Sequence, residues 1–185
     1  MTIRYEMPDY AYNGVVLYIT STDNKARFAL GNIGTENLVI FGVNPSTATD
    51  QVFDQTICRI EGYSHAHGFD GWLMLNLYPQ RATNPNDLHT DIDARIELEN
   101  MVHIEQVLAL AGNHTLCAAW GQLIRQRSYL ISCLERISNS LNGYSWHSIG
   151  TPTKEGHPRH PLYVRTEWAL SPFDISAYLK ELKRQ

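Results

Sequence analysis

The chain has 185 residues, of which 43% are hydrophobic and 18% charged, and it carries a formal net charge of -4. That length favours one domain around a single core, and that composition belongs to a globular protein rather than a disordered or fibrous one. No apolar run approaches the ~20 residues of a membrane helix; the acidic balance argues against a long electrostatic grip on nucleic acid, although "RQR" (125–127), "HPRHP" (157–161) and the tail "KELKRQ" leave room for a local basic face.

The opening MTIRYEMPDY lacks the apolar centre of a signal peptide, so the expectation is a cytoplasmic protein that does not meet a membrane. The three cysteines, Cys58, Cys117 and Cys133, are widely spaced in apolar patterns, which reads as buried free thiols rather than a disulfide framework. "GVVLYIT" (14–20) and "RFALGN" (27–32) flank the polar turn "STDNK" and predict an N-terminal β-hairpin. "ENLVIFGVN" is a continuous apolar run, as in a central strand covered on both faces. It breaks at Asn44-Pro45-Ser46-Thr47, where Asn44 projects from the strand end. A helix is expected next, with Ser46, Thr47, Thr49 or Asp50 as its cap and its free N–H groups turned toward polar or anionic ligands.

"DQTICRIEGYSHAHGF" places Ile57, Ile60 and Tyr63 at helical spacing, with Gly68 to end the helix. "GWLMLNLY" (71–78) is a buried strand interrupted by Asn76, whose amide must find partners there or destabilise the fold. Such an amide either bonds a neighbouring loop or reads the edge of a planar ligand. In the polar loop that follows, Arg81 is either solvated or holds a phosphate or carboxylate. "TDIDARIELENMVHIEQVLALAG" begins with a Thr/Asp cap and stops at Gly112. "TLCAAWG" (115–121) is a short buried strand ending on Trp120, which packs in the core or stacks on a flat ring. "QLIRQRSYLISCLERISNSLNG" predicts one helix with Leu130, Leu134 and Ile137 on its inner face; "YSWHSIG" (144–150) predicts a strand. In the long loop after it, prolines stiffen the Arg159-His160 pair. His160 so held is a donor to developing negative charge, or a surface histidine. A last short helix starts near Asp174. His65, His67 and His157 lack a third ligand at metal-binding spacing, so neither metal nor cofactor is expected.

Alternating strands and helices predict an α/β fold: a single domain over 1–185, built as a three-layer α/β/α sandwich with a central, mainly parallel sheet plus the N-terminal hairpin. In such sheets the loops after the strands' carboxyl ends meet at the ligand site. Asn44, Pro45, Ser46, Thr47, Asn76, Arg81, Trp120, Arg159 and His160 all lie in or beside those loops.

"NPSTATD", "NLYPQRATNP", "AWG" and "PRHPLY", in that order between Leu38 and Tyr163, resemble the bacterial and phage family called domain of unknown function 1643. More distantly, three segments resemble the uracil-DNA glycosylase superfamily: Gly42-Val43-Asn44-Pro45 after a strand, the apolar strand ending in Asn76, and His160-Pro161. Leu162 departs from the serine usual after that His-Pro. The second resemblance implies a uracil-DNA-glycosylase-like fold and hydrolysis of an N-glycosidic bond in a damaged or modified base. It assigns Asn44 to the attacking water and His160 to the departing base; Asp50 and Asp54, near the start of the helix after Asn44, either cap that helix or assist the sugar cation. Asn76 would select the base, with Pro45, Ser46, Thr47, Arg81, Trp120 and Arg159 as further substrate contacts. The partner is then a nucleobase, a nucleotide or DNA. A non-catalytic base- or nucleotide-binding module, or a small-molecule hydrolase on the same fold, are the alternatives.

Overall fold

The structure, a computed structural model, describes residues 15–184. The amino-terminal decapeptide and Gly14 of the expected first strand lie outside the described residues. Among the described residues, seven strands form one sheet: β1 (Val15–Thr20), β2 (Arg27–Ile33), β3 (Glu36–Gly42), β4 (Gly71–Asn76), β5 (Asn113–Ala118), β6 (Trp146–Ile149) and β7 (Leu170–Pro172). Four helices accompany them: α1 (Gln55–Ala66), α2 (Ala94–Ala111), α3 (Tyr129–Ser140) and α4 (Ile175–Leu182).

The spatial order is β1-β2-β4-β3-β5-β6-β7. β3 pairs in parallel with β4 and β5, and β5 with β6. β1 with β2, β2 with β4, and β6 with β7 are antiparallel. The sheet is therefore mixed, which corrects the expectation of a mainly parallel one. The hairpin adds its second strand directly to β4, and β7 closes the other edge. The sequence reading missed β7 because Leu170-Ser171-Pro172 is short and ends in proline, a composition confined to sheet edges.

Side-chain alternation along the strands explains the packing. Val39, Phe41, Leu73, Leu75, Leu116 and Ala118 join one buried cluster with residues of α2, α3 and α4. Leu38, Ile40, Trp72, Met74 and Cys117 join another with Ile57, Ile60 and Tyr63 of α1. The unbroken apolar runs of β3 and β4 follow from burial on both faces.

The helix after β3 starts later than the Asn44-Pro45 corner suggests. Residues 43–54 form a loop in which Thr49 Oγ1 accepts from the amides of Gln51 and Val52. The cap of α1 is Asp54, whose carboxylate accepts from the amide of Ile57. Ser46, Thr47, Thr49 and Asp50 therefore do not cap it. The expected helix over 122–143 is also divided: a 3-10 segment Gly121–Arg125 precedes α3. Arg127, in the break, donates to the carbonyls of Asn86, Leu88 and His89 and ties this turn to the loop after β4. α2 is capped by Asp93 and ended by Gly112 at φ 61. Cys117 and Cys133 are buried, whereas Cys58 is exposed on α1, against the reading of three buried thiols. Among the described residues, no helix is long and apolar enough to cross a membrane.

Candidate functional site

The loops after β3 and β4 are stitched together. Leu77 N and Tyr78 N donate to Gly42 O and Val43 O, and Ala82 N donates to Pro45 O. Asn44 Nδ2 donates to Ala82 O at 2.8 Å and Pro45 O at 3.0 Å. Ser46 Oγ donates to Thr83 Oγ1 at 3.2 Å. Arg81 serves as a clamp: Nε donates to Asn24 Oδ1, Nη2 to the Tyr18 hydroxyl, and Nη1 to the carbonyls of Ser46 and Ala48. Its guanidinium joins the hairpin to the loop after β3 and does not reach the cavity described next.

At the carboxyl ends of β3 and β4 lies a cavity of about 80 Å³, with Arg27, Asn44, Ser46, Asp54 and His160 among its walls and Gly42 and Met74 at its sheet side. His160, Trp120 and Leu123 also line a second cavity of about 400 Å³, together with Gln122, Arg159 and Tyr163. The second alone falls within the usual size of a small-molecule site.

Asn44 and His160, from segments 116 positions apart in the chain, therefore share one cavity (160 minus 44). Asn44 lines the cavity with its Nδ2 tied to the loop carbonyls, which leaves Oδ1 as the side chain's acceptor. His160 is half-buried, and its Nδ1 accepts from Leu162 N at 3.3 Å. An accepting Nδ1 places the ring proton on Nε2, which becomes the free donor. Burial lowers the His160 pKa below its ordinary 6.5, with the Asp54 carboxylate pulling the other way. The ring is accordingly neutral at neutral pH.

Asn76 stands one strand over from Gly42, paired with it in register. It is 0% exposed, and among the described residues neither Nδ2 nor Oδ1 has a hydrogen-bond partner. A Cβ placed on Gly42 would lie 3.3 Å from Asn76 Oδ1 and 2.5 Å from Met74 Cε. Glycine at this position leaves room for Met74 Cε and for the Asn76 amide behind the cavity wall. Pro45 is buried behind the wall and Thr47 is exposed on the outer loop. Trp120 is fully buried: Nε1 donates to the Tyr178 hydroxyl at 3.1 Å, and its ring packs in an aromatic cluster with Trp146, Phe173 and Tyr178. Arg159 Nε donates to Thr151 O, and its guanidinium lies over the Trp168 ring at 5.3 Å.

Asn44, Ser46 and His160 thus meet around one small cavity, Trp120 borders both cavities, Arg159 borders the larger one, and Asn76, Arg81, Pro45 and Thr47 are not among the lining residues of either. One wall residue was not legible as such: Arg27 opens an apolar strand with no local motif to mark it. Asp54, expected near the start of the helix after Asn44, caps α1 and also lines the cavity. His67 Nε2 bonds Thr166 O, and among the described residues no three His, Cys, Asp or Glu side chains gather as a metal site.

A comparison with protein families matches residues 27–162 to the family described as "Protein of unknown function (DUF1643)". The match starts earlier than the motifs alone indicate, taking in β2 and with it Arg27. No curated protein and no solved structure matches the chain.

Proposed function

Since the chain belongs to the DUF1643 family, whose description carries no activity, its function must be read from the site, and we propose that the small cavity, together with the larger one that shares His160, Trp120 and Leu123 with it, recognises a nucleobase and supports hydrolysis of its N-glycosidic bond. The observation that carries this reading is that Asn44 and His160 line one cavity beside Asn76, a fully buried amide that pairs in register with Gly42 of the cavity wall and whose donor and acceptor have no partner among the described residues. An unpaired buried amide destabilises a fold by about 1–3 kcal/mol. A planar base edge offering one donor and one acceptor would satisfy both atoms at once. The order of Asn44, Asn76 and His160 along the chain, each following a strand, supports the likeness to the uracil-DNA glycosylases. Helical residues packed against both faces of the sheet support the three-layer arrangement.

In this reading the bond to the sugar breaks with positive charge on the sugar and negative charge on the departing base. The neutral His160 ring donates from Nε2 to the base oxygen where charge accumulates. Asn44 Oδ1 accepts a hydrogen bond from the attacking water and orients it. The Asp54 carboxylate, on the same wall, faces the sugar cation electrostatically. A base in a duplex must first leave the stack.

The test is incubation of the full chain with oligonucleotides carrying damaged or modified bases, followed by detection of abasic sites. Release abolished by His160→Ala and by Asn44→Ala supports the reading. Base binding without release on any substrate identifies a binding module instead, which the absence of a carboxylate at position 44 favours as the second reading. Failure of every base, nucleoside and nucleotide to raise the melting temperature sinks both.

A further inference from the structure

Arg27 lies on the cavity wall and has no role in the reading above. It is 2% exposed at the start of β2. The β1–β2 register steps by one residue at this point, Ile19 facing Ala29 and Thr20 facing Arg27. Phe28, the extra residue, turns to α2, where its ring meets His103 at 4.6 Å. The bulge thereby leaves Arg27 on the opposite face, where it lines the cavity beside Ile57 and Met74.

Its hydrogen bonding is incomplete. Nη1 donates to Ala48 O at 3.0 Å, and Nε, buried, has no partner among the described residues. Arg81 Nη1 donates to that same carbonyl at 3.0 Å. Two guanidinium cations thus converge on one neutral acceptor. Among the described residues no carboxylate forms an ion pair with Arg27. Asp54 shares the wall, but its Oδ1 accepts the α1 amide of Ile57. A buried cation with an idle N–H is costly unless an anion or strong acceptor completes it.

We propose that Arg27 binds an anionic oxygen of the ligand in this cavity, so that the site prefers an oxo-heterocycle in its N–H-deprotonated form. The proposal rests on the nucleobase reading and sharpens its ligand class. Arg27 Nε–H and His160 Nε2–H, both from residues that line the cavity, supply two donors, a set matched by oxygen-rich bases rather than amino-substituted ones. The anion is also the form in which a base departs when the electron pair of the broken N-glycosidic bond stays on its nitrogen. An orthophosphate or nucleotide phosphate oxygen is the other source of the same chemistry.

Calorimetric titration of the full chain with uracil, 5-fluorouracil and 5-nitrouracil, in order of increasing N–H acidity, with inorganic phosphate as a separate arm, tests this. Affinity should rise along the series and, for 5-nitrouracil, follow the deprotonated fraction of the ligand as pH is raised. Arg27→Gln should weaken 5-nitrouracil by roughly tenfold or more and flatten the series, while Arg27→Lys keeps the trend. A wild-type series that binds without dependence on acidity or pH overturns the proposal and leaves the nucleobase reading standing; that measurement needs no variant to fold. Binding of phosphate alone, lost in Arg27→Gln, keeps the anion site and ends the nucleobase reading. Binding of neither ends both.

Discussion

At His160 a backbone amide decides the chemistry. Leu162 N donates to Nδ1, so the proton sits on Nε2 and the ring is a donor toward the cavity without being a cation. His160→Gln keeps a side-chain donor but not the ring, and should lower any turnover by about 10²-fold or more while leaving the melting temperature close to wild type. Asn76 gives a sharper test, because fold and function make opposite demands on it. Asn76→Leu removes two unpaired buried polar atoms, so the variant should be as stable as wild type or more stable, by up to about 1–3 kcal/mol in a denaturant titration. Base binding should be lost. A structural amide behaves the other way, and a clear fall in stability would show that Asn76 is bonded within the fold. That Asn76 interrupts an apolar strand was visible in the sequence; that both its atoms lack partners depends on neighbours contributed by β3.

Gly42 and Arg81 act through the elements they join. At Gly42 a methyl group would press on Met74 Cε, the mobile end of a flexible side chain. Gly42→Ala should therefore cost the fold less than about 1.5 kcal/mol, while Met74 shifts into a cavity of only about 80 Å³ and ligand affinity falls. Thermal melting and titration on one preparation separate the two effects. Arg81 holds the β1–β2 hairpin against the loop after β3 through four acceptors. Arg81→Ala removes all four of these bonds, leaving Ala48 O with Arg27 Nη1 alone, and should destabilise by about 2–4 kcal/mol, well above a solvated loop arginine. Helix ends were readable where the chemistry is local, as at Asp54, Asp93 and Asp174, each of which accepts amides in its own first turn. The break before α3 was not readable, because it is set by Arg127 reaching carbonyls about 40 positions away.

Across the whole molecule, stability should carry the mark of two buried histidines. His157 is 3% exposed with Nδ1 against the Tyr178 hydroxyl, and burial lowers its pKa below 6.5, as it does for His160. A lowered pKa means that the unfolded chain takes up protons before the folded one as pH falls through 6.5. Their contribution is complete above 6.5 and is lost downward toward the lowered folded values. The melting temperature should hold near neutral pH and drop toward about pH 5, and the combined His157→Gln and His160→Gln variant should show a shallower drop. The sequence by itself determined the α/β class, the apolar strands, three of the four helix caps' acids and the order of the polar loops, because these depend on periodicity and on contacts within a few residues. Only the tertiary structure decided that the sheet is mixed, that a bulge turns Arg27 into the cavity, and that Arg81 is a clamp. Those outcomes are set by strand pairing and by which distant carbonyls a long side chain reaches, and neither leaves a local pattern to read.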